Sequence, residues 1–221
     1  MLYSEATKHG SGLQLYGDYF DLRDLHETVS NLCLGAPLEP RFSGLVMGLA
    51  YDLRKAYEGF RDAKFFGLDG DTRCKYFGAK ILWPMYLPQI GLLRWAAAYH
   101  STSRADQANL LRLEHLAEHA LMAFDPVVGG VAWGLLSLFN SGLPPDYLAQ
   151  FLEEVAIRFC ETPTRGNARF RSLPGFLRML SPISAEYHEF KTMLEAKAVK
   201  HNCKPEHLEL MMKEELPDFK W

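Results

Sequence analysis

The sequence lacks a strong excess of charge of either sign. Its 24 lysine and arginine residues nearly balance its 27 aspartate and glutamate residues, which leaves a formal net charge of −3 at pH 7. Proteins that bind nucleic acid or anionic lipid through long-range electrostatics usually carry a basic excess. The composition therefore predicts neither nucleic-acid binding nor attachment to a membrane.

Cysteine is scarce and widely spaced. The four cysteines are Cys33, Cys74, Cys160 and Cys203, and no two of them form a Cys-x-x-Cys pair. A compact zinc knuckle needs such pairs, and small disulfide-stapled domains carry a denser set. The first residues also lack a basic start followed by an apolar run, so no secretory signal is expected. These absences predict reduced thiols and a cytoplasmic protein.

Long hydrophobic runs are missing as well. The uncharged apolar stretch VVGGVAWGLLSLF at residues 127–139 is far shorter than the roughly 20 residues that span a bilayer. Asp125 can cap a helix there, and Pro126 can occupy its first position. Because a helix that is apolar on all sides belongs inside a domain, the sequence predicts a buried central helix at about residues 126–140.

Helical spacing of apolar residues recurs along the chain. Two segments with this spacing are residues 19–34 and 42–60. Asp18 can cap the first of them, and Ser103 with Asp106 has the form of a capping box that opens a later helix. With 221 residues, of which 48% are hydrophobic, the chain can fill one core. We therefore expect one mainly helical domain over the whole chain, residues 1–221.

Shorter segments have the alternation and turn residues of β-strands. Strands are predicted near residues 13–16, 63–68 and 73–80, and Asp69-Gly70 suits the tight turn of a hairpin because glycine accepts a positive φ. These strands predict a small antiparallel sheet. The expected fold class is α+β, mainly α, with several helices around the buried central one.

The common catalytic and nucleotide-binding motifs are absent. The sequence contains no Gly-x-x-x-x-Gly-Lys-Ser/Thr loop, no Gly-x-Gly-x-x-Gly after a strand, and no Gly-x-Ser-x-Gly elbow. The first two motifs cradle phosphates and the third presents a nucleophilic serine. We therefore expect no nucleotide-driven or α/β-hydrolase chemistry and no cofactor.

Polar residues are concentrated where the second predicted helix runs into the hairpin. A helix with one apolar core face does not need this many charged side chains or a tyrosine hydroxyl. The residues are Asp52, Arg54, Tyr57, Arg61 and Asp62. Charged groups that are buried at such a junction each need a partner. Such a network of paired charges more often stabilises a fold, and the same residues are also the best candidate of this sequence for a ligand-binding site.

A second candidate is a His-x-x-Glu-His pattern formed by His115, Glu118 and His119. Two histidines one helical turn apart can hold Zn²⁺, and the glutamate can deprotonate a metal-bound water. Glu189 or Glu195 could supply a third ligand. However, the apolar stripe of this helix lies roughly opposite the histidines, which is typical of an ordinary solvated face. We therefore predict no metal site and keep zinc as an alternative.

A third candidate is a cluster of arginines and phenylalanines that contains no acid. Its members are Arg165, Arg169, Arg171 and Arg178 with Phe170 and Phe176. Arginines among aromatic residues can bind phosphates and stack on bases. The basic character is only local, however, and a connecting loop explains the same composition. Nucleic-acid binding is therefore not predicted.

Three segments in the first half of the chain resemble a bacterial family of uncharacterised proteins. They are residues 12–22, 51–62 and 77–84, which read GLQLYGDYFDL, YDLRKAYEGFRD and FGAKILWP. The resemblance covers about the first half of the sequence. It implies a small domain of unknown function, and it brings no catalytic residues with it.

Two classes of function follow. The favoured prediction is a non-enzymatic cytoplasmic module that binds a protein partner, most simply a second copy of itself, because the build is helical and no catalytic set is complete. The alternative is a hydrolase or small-ligand binder. Its candidate residues are Asp52, Arg54, Tyr57 and Arg61, or a zinc site at His115, Glu118 and His119.

Overall fold

The computed structural model describes residues 1–66, 74–99, 101–140, 146–162, 167–208 and 221. The strands are β1 (Tyr3–Ala6), β2 (Gly12–Gly17), β3 (Asp62–Phe66) and β4 (Cys74–Leu82). The helices are α1 (Tyr19–Gly35), α2 (Pro40–Tyr57), α3 (Trp83–Ala96), α4 (Arg104–Phe124), α5 (Pro126–Gly134), α6 (Ser137–Asn140), α7 (Leu148–Glu161), α8 (Ala168–Met179) and α9 (Ala185–His201), followed by a 3-10 turn (Pro205–His207).

The four strands form one antiparallel sheet in the order β1-β2-β4-β3. This arrangement confirms the predicted class, mainly α with a small antiparallel sheet. The prediction missed β1, whose four residues are too few to show an alternating pattern. The predicted turn at Asp69-Gly70 lies outside the described residues.

One face of the sheet packs on the helices. Leu13 and Leu15 of β2 and Ala79 and Ile81 of β4 alternate along their strands and are buried in the core. The core is one cluster of apolar side chains that extends from β2 to α9. The sheet therefore forms a wall of the helical body, and the end of β4 runs directly into α3.

The helix caps follow the local sequence. The Asp18 carboxylate accepts hydrogen bonds from the amides of Phe20 and Asp21, both at 2.9 Å. Ser103 and Asp106 form the reciprocal bonds of a capping box at the start of α4. These caps satisfy amides that have no partner within the helix, and the helix starts predicted after Asp18 and Ser103 are confirmed.

The segment predicted as a buried central helix, residues 126–140, is helical and begins at Pro126 after the Asp125 cap as expected, but it is neither a single helix nor the central one. The segment divides into α5 and α6, and only Gly129 and Ala132 of α5 are buried, while 76% of Val127 is exposed. A side chain at Gly129 would overlap the Leu121 carbonyl, because α5 packs closely along α4 on its small residues alone. One-sided packing of this kind leaves Val127 and Val131 exposed to solvent.

The buried helix of this fold is α3. Twelve of its fourteen residues are buried, and it contacts helices α1, α2, α4, α6, α7 and α8 as well as the sheet. Pro84 stands in its first turn, where the missing amide hydrogen costs nothing. Among the described residues, no helix combines the length and apolarity that crossing a membrane requires.

Candidate functional site

A cleft of about 720 Å³ opens between α2, α7 and the junction of β4 with α3. This volume lies within the range of small-molecule sites. The residues that line it are Arg41, Gly44, Leu45, Gly48, Asp52, Arg61, Lys80, Ile81, Leu82, Met85, Gln89, Ala149, Glu153 and Trp221. Apolar side chains from α2, β4, α3 and α7 meet charged side chains from α2, β4, α7 and the segment before β3.

Two glycines keep the α2 wall open. Gly44 and Gly48 lie one turn apart on the face of α2 that also carries Asp52, whereas Leu49 and Leu53 on the other side enter the core. A side chain built at Gly44 would meet no atom within 4 Å, and one at Gly48 would meet only the Gln89 amide, at 3.6 Å. The space that these glycines leave is the cleft itself.

A buried glutamine lies at the base of the cleft. Gln89 of α3 is 3% exposed, and its Nε2 donates a 2.9 Å hydrogen bond to the Leu45 carbonyl. That bond determines the orientation of the amide, because a flipped amide would set two acceptors against each other. The Oε1 atom is enclosed and accepts no hydrogen bond. An acceptor buried in this way costs folding free energy unless a donor reaches it.

Ion pairs border one end of the cleft. Arg61 Nη2 lies 2.9 Å from Asp52 Oδ1, and Lys80 Nζ lies 2.8 Å from Asp62 Oδ2. Asp62 also accepts a 2.8 Å hydrogen bond from Gln14 Nε2. All these side chains remain partly accessible, so the pairs contribute little to stability. They hold the two cationic groups in place beside the opening.

The other end of the cleft is bordered by the C-terminal part of the chain. Arg41 donates hydrogen bonds to the carbonyls of Glu206 and Leu208, at 2.7 and 3.0 Å. Gln150 of α7 donates to the Pro205 carbonyl at 3.0 Å. These bonds attach the segment after α9 to α2 and α7. Trp221, which is half-buried, also lines the cleft.

The predicted polar group is divided between two surfaces. Asp52 and Arg61 line the cleft. Asp62 is connected to it by an ion pair with Lys80, which also lines the cleft. Arg54 and Tyr57 lie on another side of α2, as about 100° per residue requires. Arg54 pairs with Glu58 at 3.8 Å.

Tyr57 packs edge-on against Tyr19 and His26 of α1. Burial lowers the pKa of His26, and the charge of Arg54 lowers it further. Tyr57 and Arg54 thus belong to the contact between α1 and α2, and the cleft does not include them.

Most of the cleft residues were missed by sequence reasoning. Two signals were available: the Gly44/Gly48 spacing on α2, and the single amide side chain in the apolar stretch from Trp83 to Leu93. A polar residue inside such a stretch indicates either a buried hydrogen bond or a site. The approach of α7 and Trp221 leaves no local pattern, so these members could not be found without the fold.

Comparison with known families gives one match. A family model described as Domain of unknown function (DUF6904) matches residues 2–221. The chain belongs to this family. The match extends over nearly the whole chain, so the expected coverage of only the first half was too short. No curated protein and no solved structure matches the sequence.

The histidine pair of the DUF6904 domain lies away from the cleft. His115 and His119 are exposed on α4, with ring centroids 6.1 Å apart. In the part of the chain that the structure describes, no three His, Cys, Asp or Glu side chains are grouped so that they could hold a metal ion. The two candidate third ligands, Glu189 and Glu195, are exposed on α9. Nothing in this geometry favours zinc.

The arginine cluster of the DUF6904 domain is divided as well. Arg169 is 4% exposed and donates to Ser11 Oγ at 2.7 Å and to the Cys160 carbonyl at 2.8 Å. Phe170 is fully buried in the core. Arg165 lies outside the described residues. Arg169 and Phe170 therefore stabilise the fold and are not accessible to a phosphate backbone.

The described lining of the cleft contains no serine, threonine, cysteine or histidine. It does contain cations, carboxylates, an amide acceptor and apolar walls. Such a lining can orient an amphipathic molecule.

Proposed function

We propose that this DUF6904 domain is a non-enzymatic module that binds a small amphipathic ligand in the cleft between α2, α3 and α7. The observation that carries the proposal is Gln89, a buried side chain at the base of the cleft whose Oε1 accepts no hydrogen bond. A ligand that donates to this oxygen recovers the desolvation cost of the unpartnered acceptor.

The proposed place of action is the reducing cytoplasm of a bacterium. All four cysteines are free thiols, and Cys74 is exposed. Burial raises the pKa of the Cys160 thiol to about 11, so this thiol stays protonated and unreactive at neutral pH. An exposed free thiol is compatible with a reducing compartment, where disulfide formation is suppressed.

A substitution that fills the cleft tests the ligand-binding proposal. Gly44→Leu adds a side chain in the open space of the cleft, and Gly175→Leu adds the same side chain on the exposed face of α8, where a Cβ also meets no atom within 4 Å. Both changes replace a helical glycine, so their effects on helix propensity match. Only Gly44→Leu should abolish ligand binding.

The measurement is a thermal-shift screen of the full chain against amino acids, N-acetylated amino acids, nucleosides and aromatic acids. We expect hits that raise the unfolding midpoint of the wild type and of Gly175→Leu and leave Gly44→Leu unchanged, because ligand binding to the folded state stabilises it. Hits that stabilise Gly44→Leu equally, or a screen without any hit, would contradict the proposal.

A second candidate function is self-association through β3, as the sequence predicted in general terms. Within the described residues β3 forms an edge of the sheet, and all five of its residues are exposed, including Phe65 at 63%. An exposed edge with aromatic side chains can pair with the same edge of a second copy and continue the sheet. We propose that two copies form a homodimer in which their β3 strands pair in antiparallel orientation.

Light scattering coupled to size exclusion tests the homodimer. Phe65→Lys should shift the mass from dimer to monomer, because it places a charge on the paired edge. Phe20→Lys is the control, since Phe20 is as exposed as Phe65 but lies on α1. A wild type that is monomeric at all concentrations, or equal masses for both variants, excludes pairing through β3.

A further inference from the structure

An aromatic residue borders the apolar part of the cleft. Trp221 lines the cleft together with Leu45, Leu82 and Met85, and its side chain is half-buried. Met85 is unbranched and polarisable, which suits contact with the edge or face of an aromatic ring. An aromatic ligand can pack against the same apolar residues.

The charged end of the cleft offers unused hydrogen-bond donors to a negatively charged group of a ligand. Arg61 and Lys80 line the cleft, and each is paired with one carboxylate, Arg61 with Asp52 and Lys80 with Asp62. Arg61 donates to Asp52 through a single terminal nitrogen, and a guanidinium carries five donors. Arg61 and Lys80 can therefore accept a ligand carboxylate without giving up their own partners.

The base of the cleft favours a hydrogen-bond donor on the ligand. Gln89 Oε1 accepts nothing, whereas Nε2 of the same amide is committed to the Leu45 carbonyl. Because Oε1 is enclosed, a donor reaches it when side chains of the cleft wall move aside. A ligand could supply this donor as an amide N–H placed between its aromatic ring and its carboxylate, at the polar end of the ligand.

These three requirements together define the ligand class. We propose that the cleft binds an aromatic carboxylate with an amide N–H, of the N-acylated aromatic amino acid type, and that this ligand replaces the Trp221 side chain. The inference rests on the proposed ligand-binding function and specifies its substrate class. It assigns the ring to Leu45, Leu82 and Met85, the carboxylate to Arg61 and Lys80, and the N–H to Gln89.

Calorimetric titration of the full chain with N-acetyl-tryptophan tests this assignment. N-acetyl-tryptophan amide lacks the carboxylate, and N-acetylglycine lacks the ring. We expect N-acetyl-tryptophan to bind, its amide to bind about tenfold more weakly through loss of the charged contact, and N-acetylglycine not to bind. Trp221→Ala should bind N-acetyl-tryptophan more tightly than the wild type because no side chain has to leave the cleft.

A charge variant separates recognition of the carboxylate from general damage. Lys80→Gln should weaken binding of N-acetyl-tryptophan about tenfold and leave binding of its amide unchanged. Lys75→Gln, on the same strand but away from the cleft, is the control. Equal losses for acid and amide would overturn the role of Lys80, and an unchanged affinity in Trp221→Ala would overturn the replacement of Trp221.

Failure of this inference can be told apart from failure of the proposed function. If N-acetyl-tryptophan does not bind while another compound of the screen binds in a manner that Gly44→Leu abolishes, the ligand class is wrong and the site stands. If no compound binds in the cleft at all, both are wrong.

Discussion

Two buried glutamines with different hydrogen bonding allow the cleft to be probed at the scale of single residues. Gln89 is 3% exposed and Gln150 is 1% exposed. Gln150 Nε2 donates to the carbonyls of Pro205 and Leu208 and attaches the C-terminal segment to α7. Gln89 instead keeps an acceptor without a partner. A bonded side chain such as Gln150 stabilises the fold, whereas an acceptor without a partner, such as Gln89 Oε1, costs folding free energy until a donor reaches it.

We predict opposite consequences for stability when each glutamine is replaced by leucine. Gln150→Leu should lower the free energy of unfolding by about 1 kcal/mol, because it removes the hydrogen bonds that join α7 to the C-terminal segment; the Leu208 carbonyl keeps its bond from Arg41, and the Pro205 carbonyl keeps its bond from the Leu208 amide. Gln89→Leu should leave it unchanged or raise it by about 1 kcal/mol, because it removes an unpartnered acceptor and the Leu45 carbonyl keeps its donor within α2.

Urea unfolding followed by circular dichroism measures both free energies. Gln89→Leu should also lose the ligand-induced thermal shift, which separates a binding role from a structural one. A loss of stability in Gln89→Leu as large as that in Gln150→Leu would show that Gln89 serves the fold alone.

At the scale of elements, the position of the central helix depends on one close approach. A Cβ atom at Gly91 of α3 would lie 2.5 Å from Phe139 Cβ of α6. Real side chains do not tolerate such a distance, so α6 can lie against α3 only because residue 91 has no side chain. The glycine weakens α3 as an isolated helix, and the packing that it permits compensates for this.

We predict that Gly91→Ala destabilises the protein by about 1–3 kcal/mol through overpacking. Gly175→Ala in α8 is the matched control, since its new methyl group meets nothing within 4 Å. It should stabilise the protein by about 0.4–1 kcal/mol through the lower entropy of the unfolded chain. The same urea unfolding measures both, and a stabilising Gly91→Ala would contradict the packing of α6 on α3.

At the scale of the whole molecule, Arg169 joins parts of the chain that are distant in sequence. Its guanidinium donates to Ser11 in the turn between β1 and β2, and to the carbonyls of Cys160 and Thr162 at the end of α7. Burial lowers the pKa of this guanidinium, but an arginine remains charged. The bonds compensate for the burial of the charge and hold the sheet against α7 and α8.

We predict that Arg169→Lys lowers the free energy of unfolding by about 2–3 kcal/mol, because one ammonium cannot reproduce several directed bonds and leaves buried acceptors without donors. Arg171→Lys is the control, since Arg171 is exposed on the same helix, and it should change the free energy by less than about 0.5 kcal/mol. Similar effects of the two variants in urea unfolding would contradict the bridging role of Arg169.

Features that depend on neighbouring residues were predictable from the sequence. The cap at Asp18 and the capping box of Ser103 and Asp106 were correct because a cap involves residues two or three positions apart. The hydrophobic face of α1, and that of α2 as far as Ala56, were correct because helical periodicity is local too. The helix predicted to run to residue 60 with Phe60 on its core face ends at Tyr57, and Phe60 is exposed. The candidate site was predictable only in part. Asp52 and Arg61 are nine residues apart, on α2 and just before β3, so the sequence shows them as one group. Gln89, Glu153 and Trp221 come from distant segments.

The sequence alone determined the mainly helical class, the small antiparallel sheet and most helix starts, because hydrogen bonding and side-chain spacing within a few residues decide them. Only the tertiary structure decided which apolar helix is central. Residues 127–139 and 83–96 are both rich in apolar residues, and their burial depends on how many other elements pack around each. The cleft also depends on the tertiary structure, because its walls come from α2, β4, α3 and α7. No local sequence pattern indicates that these elements meet.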